Sequence, residues 1–345
     1  MLKKVRKWVF SGIFYAAIFA LTVWYLFHDE NPAEVLQYVT DAQTPWVLAA
    51  IASVILFILG ESAAIYYLLH STGVKSKFHH CCLFSFIGFF FNAITPSASG
   101  GQPMQIMYMR QDGIPVAQSS IVLIVKTIAN KAVLVLTGLA IAILHPMRIL
   151  ECLAGVMPFI YLGMTLNVAA ICLLLAAVFL PDLLERLANG VLRLIQKIHP
   201  FRNPQRVTGR VNHALSQYRG TSVFLRKNPG ILLNVFLITF VQRFCMFSIA
   251  WFSYRAFGLS GEKEINIVVL YAMISIAADM LPLPGGMGIS ETLFTVIFSP
   301  IFGADFVLPG MVLCRGISYY TQLILSAVMT AAAHVSFRRK PTELP

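Results

Sequence analysis

Apolar residues in this chain come in blocks about as long as a bilayer is thick, rather than in the periodic stripes of a soluble fold. The blocks run over 8–27, 46–69, 81–94, 117–144, 156–180, 231–258, 266–299 and 309–334. About 20 residues at about 1.5 Å rise match a hydrocarbon core of about 30 Å. Only 12% of the residues are charged and 58% are hydrophobic, whereas a soluble chain carries about 25% charged residues. Too little polar surface remains to cover a water-facing body. The expected fold class is therefore an all-α polytopic membrane protein, with residues 1–345 forming one membrane domain.

Two blocks are broken. The third is short and runs into Thr95-Pro96-Ser97-Ala98-Ser99-Gly100-Gly101-Gln102-Pro103. The seventh is interrupted by Leu281-Pro282-Leu283-Pro284-Gly285-Gly286-Met287-Gly288. Each Pro removes a backbone donor and each Gly weakens a helix, so a continuous helix through either stretch is costly.

Loop charges set the expected orientation. The amino-terminal tail carries Lys3, Lys4, Arg6 and Lys7. Segment 28–45 carries Asp29, Glu30, Glu34 and Asp41 and no Lys or Arg. Segment 181–230 carries nine basic residues against Asp182 and Glu185, and the carboxy-terminal tail carries Arg338-Arg339-Lys340. Placing every basic piece in the cytoplasm predicts six full spans and two re-entrant hairpins. The first hairpin, over 81–109, dips in from the cytoplasm, and the second, over 266–299, from outside. Both termini are then cytoplasmic, in a bacterial cell membrane. The first block ends in His28-Asp29-Glu30 without a small-residue cleavage site, so it reads as a retained span rather than a signal peptide.

Span, hairpin and span occur twice in the same order, over 46–144 and 231–334. One unit starts outside and the other inside, which predicts an inverted repeat with its substrate site where the two breaks meet. Between the units, 182–199 reads as an amphipathic helix on the inner leaflet, its basic residues facing anionic headgroups.

The formal charge of +11 invites a nucleic-acid reading, but its placement in loops on one side of the spans favours a membrane surface instead. The six cysteines show no metal or disulfide spacing and read as structural. No GxxxxGK[ST] motif or strand-borne GxGxxG is present, so no nucleotide cofactor is expected.

Glu61, Lys126, Lys131, Arg243, Asp279, Glu291 and Arg315 fall inside spans or hairpins. A charge at the bilayer centre costs at least about 2.5–3.5 kcal/mol, so such residues face inward, pair, or meet a charged substrate. Lys126 and Lys131 lie roughly 140° apart around a helix and need not share a face. The four cations outnumber the three carboxylates, an excess that suits a phosphate. Internal ion pairing that only holds helices together is the competing reading. Ser97, Ser99, Gly100, Gly101 and Gln102 on one hairpin, and Gly285, Gly286 and Gly288 on the other, add donors and close backbone approach. Alternatively these are tight turns only.

The stretch Thr95 to Pro103, followed by Tyr108-Met109-Arg110-Gln111-Asp112-Gly113, resembles the first signature of a flippase-like membrane family. That family includes the transmembrane part of lysylphosphatidylglycerol synthase, the multiple peptide resistance factor. Leu281 through Glu291 resembles its second signature. Where many relatives carry Glu after the paired glycines this chain has Gln102, while Glu291 matches. The resemblance implies translocation of an anionic or aminoacylated phosphatidylglycerol, with Arg110 among the substrate-binding residues. A homo-oligomer or a partner lipid synthase is compatible with it, as is a role in antimicrobial peptide resistance. Full-length synthases also carry a soluble domain that uses lysyl-tRNA. No such segment follows within 1–345, which argues against phosphatidylglycerol lysyltransferase activity and against a nucleic-acid partner. A headgroup enzyme using Glu291 or Asp279 as acid or base, and a scaffold for an envelope enzyme, are the remaining alternatives.

Overall fold

The computed structural model describes residues 37–95, 99–144, 147–180, 186, 190, 204–279, 281 and 284–338. The described residues are helical and contain no strand. The first apolar block and nearly all of the 182–199 segment lie outside them.

Helix α1 spans Thr44–Ser71, α2 Phe78–Ile94, α3 Gly101–Gln111 and α4 Val116–Leu144. Next come α5 (Met147–Leu153), a 3-10 turn, and α6 (Met157–Phe179). Helix α7 covers Pro204–Lys227, α8 Pro229–Ala256, α9 Glu264–Ala278 and α10 Ile289–Phe302. Finally α11 (Ala304–Arg315) passes through one stretch of π-helix, Gly316–Thr321, into α12 (Gln322–Arg338). Five helical stretches are long and apolar enough to cross a membrane: 44–71, 116–144, 151–179, 229–256 and 304–334. They correspond to the second, fourth, fifth, sixth and eighth apolar blocks. The two broken blocks form pairs of shorter helices, α2 with α3 and α9 with α10.

One long helix, two short helices and one long helix thus occur twice. The leading helices α1 and α8 pack along their length. Gln43 N donates to Ala256 O, Trp46 stacks on Phe252, Gln242 bonds Glu61, and Asn234 bonds Tyr67. As numbers rise along α1 they fall along α8, so the two helices are antiparallel. Gly60 permits this approach, because a Cβ there would lie 2.8 Å from Gln242 Cβ. The first short helix of each pair also packs beyond its own long helices: α2 packs on α12, and α9 packs on α4 and α6.

Two apolar cores result. Ala50, Val54 and Phe57 of α1, Leu134 and Ile141 of α4, and Phe247 and Tyr254 of α8 share one core with α9, α10 and α11. Ile65, Leu68 and Leu69 of α1, Ile121 and Val125 of α4, and Val235 of α8 share the other with α2 and α3. Glu61, Gln242 and Arg243 fall between the two sets on α1 and α8, and Lys126 of α4 reaches Glu61. A polar layer therefore crosses the bundle at mid-height.

Helix α7 closes one end. Tyr218 and Ser222 donate hydroxyl hydrogens to the carbonyls of Ala177 and Val178. Arg226 donates to Phe179 O at 3.2 Å and lies over the Phe179 ring. The last carbonyls of α6 lack intrahelical donors, and these side chains supply them.

Candidate functional site

The break between α2 and α3 is tied off locally. Thr95 Oγ1 donates to Phe91 O and accepts from Gly100 N, and Asn92 Oδ1 accepts from Gly101 N at 2.9 Å. A side chain at Gly101 would strike Asn92 Oδ1 at 2.2 Å. Gln105 holds the arms antiparallel by donating to Phe84 O. The amides of Gly100 and Gly101 are thus spent on the turn. Gln102 donates to Thr127 Oγ1 at 2.7 Å, fastening α3 to α4.

The break between α9 and α10 has a different construction. Gly285, Gly286 and Gly288 have φ of 59°, 66° and 83°, which L side chains with a Cβ rarely adopt. The carbonyl of Gly285 accepts from Arg315 Nη2 at 2.9 Å. The backbone N–H of Asp279 donates to Ser275 O, so Asp279 ends α9. A carboxylate there opposes the helix dipole, and Lys131 offsets it at 2.7 Å.

Between these two breaks lies a cavity of about 290 Å³. Asn92 and Ala93 of the first break and Gly285 and Gly286 of the second line it, together with Lys126, Asn130, Arg243, Asp279, Arg315 and Tyr319. Arg243 sits near the middle of the 28-residue α8, at the level of the polar layer.

Three ion pairs surround the cavity. Lys126 Nζ pairs with Glu61, whose other oxygen accepts from Gln242 at 2.9 Å. Lys131 Nζ pairs with Asp279 and also donates to Asn167 Oδ1 at 3.2 Å. Arg315 Nε pairs with Glu291 at 2.8 Å. Glu61 and Glu291 are 3% and 6% exposed and stand behind the wall, with their cations in front. Arg243 is the fourth cation. Its Nε donates to Asn130 Oδ1, and its guanidinium lies over the Phe57 ring. Among the described residues no carboxylate lies within 4.0 Å of it.

Of the residues singled out from the sequence, Lys126, Arg243, Asp279, Gly285, Gly286 and Arg315 line the cavity. Lys131 and Glu291 pair with lining residues. Gly288 starts α10, where its carbonyl accepts from Thr292. Gly100, Gly101 and Gln102 serve the first turn, Ser99 is exposed beside it, and Ser97 lies outside the described residues. Arg110 is exposed in the last turn of α3, off the cavity wall. Asn92, Asn130, Asn167, Tyr271, Ser275, Ser318 and Tyr319 were not legible as site residues. Single neutral polar residues in apolar blocks carry no insertion penalty large enough to stand out.

The π-helical stretch is a further such feature. It carries Ser318 and Tyr319 on the wall directly after Arg315. Wide turns of this kind re-aim side chains within a continuous helix and recur at functional sites.

Comparison with known proteins finds membrane proteins similar to this chain. The family model described as the lysylphosphatidylglycerol synthase TM region matches residues 12–326. A UPF0104 membrane protein of Archaeoglobus fulgidus is 20% identical over 277 residues, covering 74% of this chain and 76% of that relative. The family match takes in both broken helix pairs, all three ion pairs and Arg243, and the chain belongs to the lysylphosphatidylglycerol synthase TM-region family.

Proposed function

We propose that this protein binds the headgroup of an anionic or aminoacylated phospholipid in the cavity between the two helix breaks and carries it between leaflets. The observation that supports this reading is Arg243, a cation near the middle of α8 on the cavity wall, with no carboxylate within 4.0 Å of it among the described residues. A buried charge without a counter-charge is costly. A phosphate arriving at its free guanidinium edge would supply the missing partner through a two-pronged contact. At about 290 Å³ the cavity has room for a headgroup and not for acyl chains, which stay in the surrounding hydrocarbon.

In this reading the two helix pairs enter the membrane from opposite faces and the basic segments face the cytoplasm. Broken helices at membrane depth are tolerated where they line a wet cavity. Movement of one repeat against the other would open the cavity to each leaflet in turn.

The test is translocation of fluorescent phosphatidylglycerol by the purified protein in vesicles, followed by bleaching of the outer leaflet. Wild type is expected to move label that empty vesicles retain, and Arg243→Gln to slow it by about tenfold or more, the loss of one charge-assisted contact. Equal rates for the variant and wild type would refute the role of Arg243. Lysyl-lipid formation by the protein with charged tRNA would instead favour the transferase reading.

A further inference from the structure

The charges around the cavity discriminate between headgroups, and the inference drawn from them rests on the translocation reading above. We infer that the site takes a phosphodiester headgroup with one net negative charge and neutral hydroxyls, and rejects the aminoacylated, net-cationic form of the same lipid.

Among the described residues four cations and three carboxylates make up the layer, and each carboxylate is already held by a protein cation. The cation left over among the described residues, Arg243, is fixed at Nε by a neutral partner, Asn130, and backed by the Phe57 ring. That arrangement fixes the guanidinium plane and leaves its terminal nitrogens for one phosphodiester. A single monoanionic ligand brings the layer to neutrality.

A lysyl ester of phosphatidylglycerol keeps the one phosphodiester charge and adds two ammonium groups, so its headgroup is net cationic. Those ammonium groups need carboxylates. Glu61 and Glu291 do not line the cavity. Asp279 does, but Lys131 occupies its Oδ2 at 2.7 Å, so an ammonium placed there meets a like charge. Lys126, Arg243 and Arg315 also stand on the wall and repel it. The remaining polar wall is neutral: Asn92, Ser275 and Ser318 offer an amide and two hydroxyls. Such groups suit the hydroxyls of a glycerol headgroup. An unpaired charge against the second ligand adds to the discrimination that fit to the first supplies.

The experiment uses the full-length protein in phosphatidylcholine vesicles with trace fluorescent phosphatidylglycerol or its lysyl ester. Phosphatidylglycerol is expected to cross at least about tenfold faster than the lysyl ester, the effect of one unpaired buried charge. Arg243→Gln should collapse that ratio, and Arg243→Lys, which keeps the charge, should retain most of it; the wild-type comparison stands even where a variant folds poorly. A lysyl ester that crosses as fast as phosphatidylglycerol overturns the inference and leaves the translocation reading standing. If neither lipid crosses faster than in empty vesicles, both fall. Deacylated glycerophosphoglycerol, added as competitor, separates lipid from soluble phosphodiester: weak competition is expected, and competition as strong as that of the intact lipid would overturn the lipid assignment.

Discussion

Tyr319 donates its hydroxyl hydrogen to the backbone carbonyl of Ala93 at 3.1 Å, 226 residues away in sequence. Ala93 belongs to the last turn of α2, and the Tyr319 ring lies against Gly285 in the opposite break. The same ring carries the Arg315 guanidinium at 4.9 Å from its centre. One side chain thus joins both breaks and orients a cation of the wall. Tyr319→Phe is expected to cost about 1 kcal/mol through the lost hydrogen bond. Tyr319→Ala should cost about 3–5 kcal/mol, because the ring packing goes as well. Unfolding of the two variants in detergent would measure the difference, and equal losses would place the stabilisation elsewhere.

Arg315 and Glu291 are expected to behave as a unit. Arg315→Met leaves a buried carboxylate that already has one oxygen, Oε2, without a hydrogen-bond partner. Breaking a buried pair from one side costs about 3–5 kcal/mol, whereas replacing both partners by neutral groups costs much less. Adding Glu291→Gln to Arg315→Met should therefore recover much of the lost stability. A double-mutant cycle read by unfolding tests this, and additive losses would contradict the pairing.

Alanine substitution at three glycines should give a graded series. At Gly113 (φ 87°) nothing lies within 4 Å of an added Cβ, so Gly113→Ala should cost only the left-handed backbone strain, about 1–2 kcal/mol. At Gly286 the nearest atom is Ser290 Oγ at 2.6 Å, which a rotamer change can move, so the cost should be somewhat larger. At Gly285 the Tyr319 ring lies at 2.1 Å and is pinned at Ala93, so Gly285→Ala should be the most damaging. The order in thermal unfolding is the test, and Gly113→Ala matching Gly285→Ala would refute it.

Gly163 lets α6 touch the backbone of α9. A Cβ there would lie 2.3 Å from Ile276 O and 2.8 Å from Ala277 Cα, neither of which can rotate away. Asn167, one turn on, donates to Gly163 O and Ile276 O and accepts from Lys131. Gly163→Ala should push these helices apart, cost about 1–3 kcal/mol or more, and loosen Lys131 from Asp279. Faster chemical labelling of a cysteine introduced at Ser275, on the cavity wall, would report the loosening. Unchanged labelling and stability would show that the contact is not under compression.

The amino-acid sequence by itself determined the membrane class, the places of the long helices, the two breaks and the surplus of cations inside apolar blocks. These features are written locally. A run of about 20 apolar residues has to span, a Pro/Gly cluster has to interrupt, and a charge inside such a run has to be accommodated. Which cation meets which carboxylate is not written locally. Lys131 and Asp279 are 148 residues apart, and Arg315 and Glu291 are 24 apart on different helices. Only the antiparallel docking of α1 on α8, and the packing of α9 on α4 and of α10 on α11, brings those groups into one layer. Tertiary packing likewise put Asn92, Asn130 and Tyr319 on the cavity wall, since a neutral polar residue in an apolar block is nearly silent until its neighbours are known. The count of charges said that one cation was in excess; among the described residues the packing leaves Arg243 without a carboxylate.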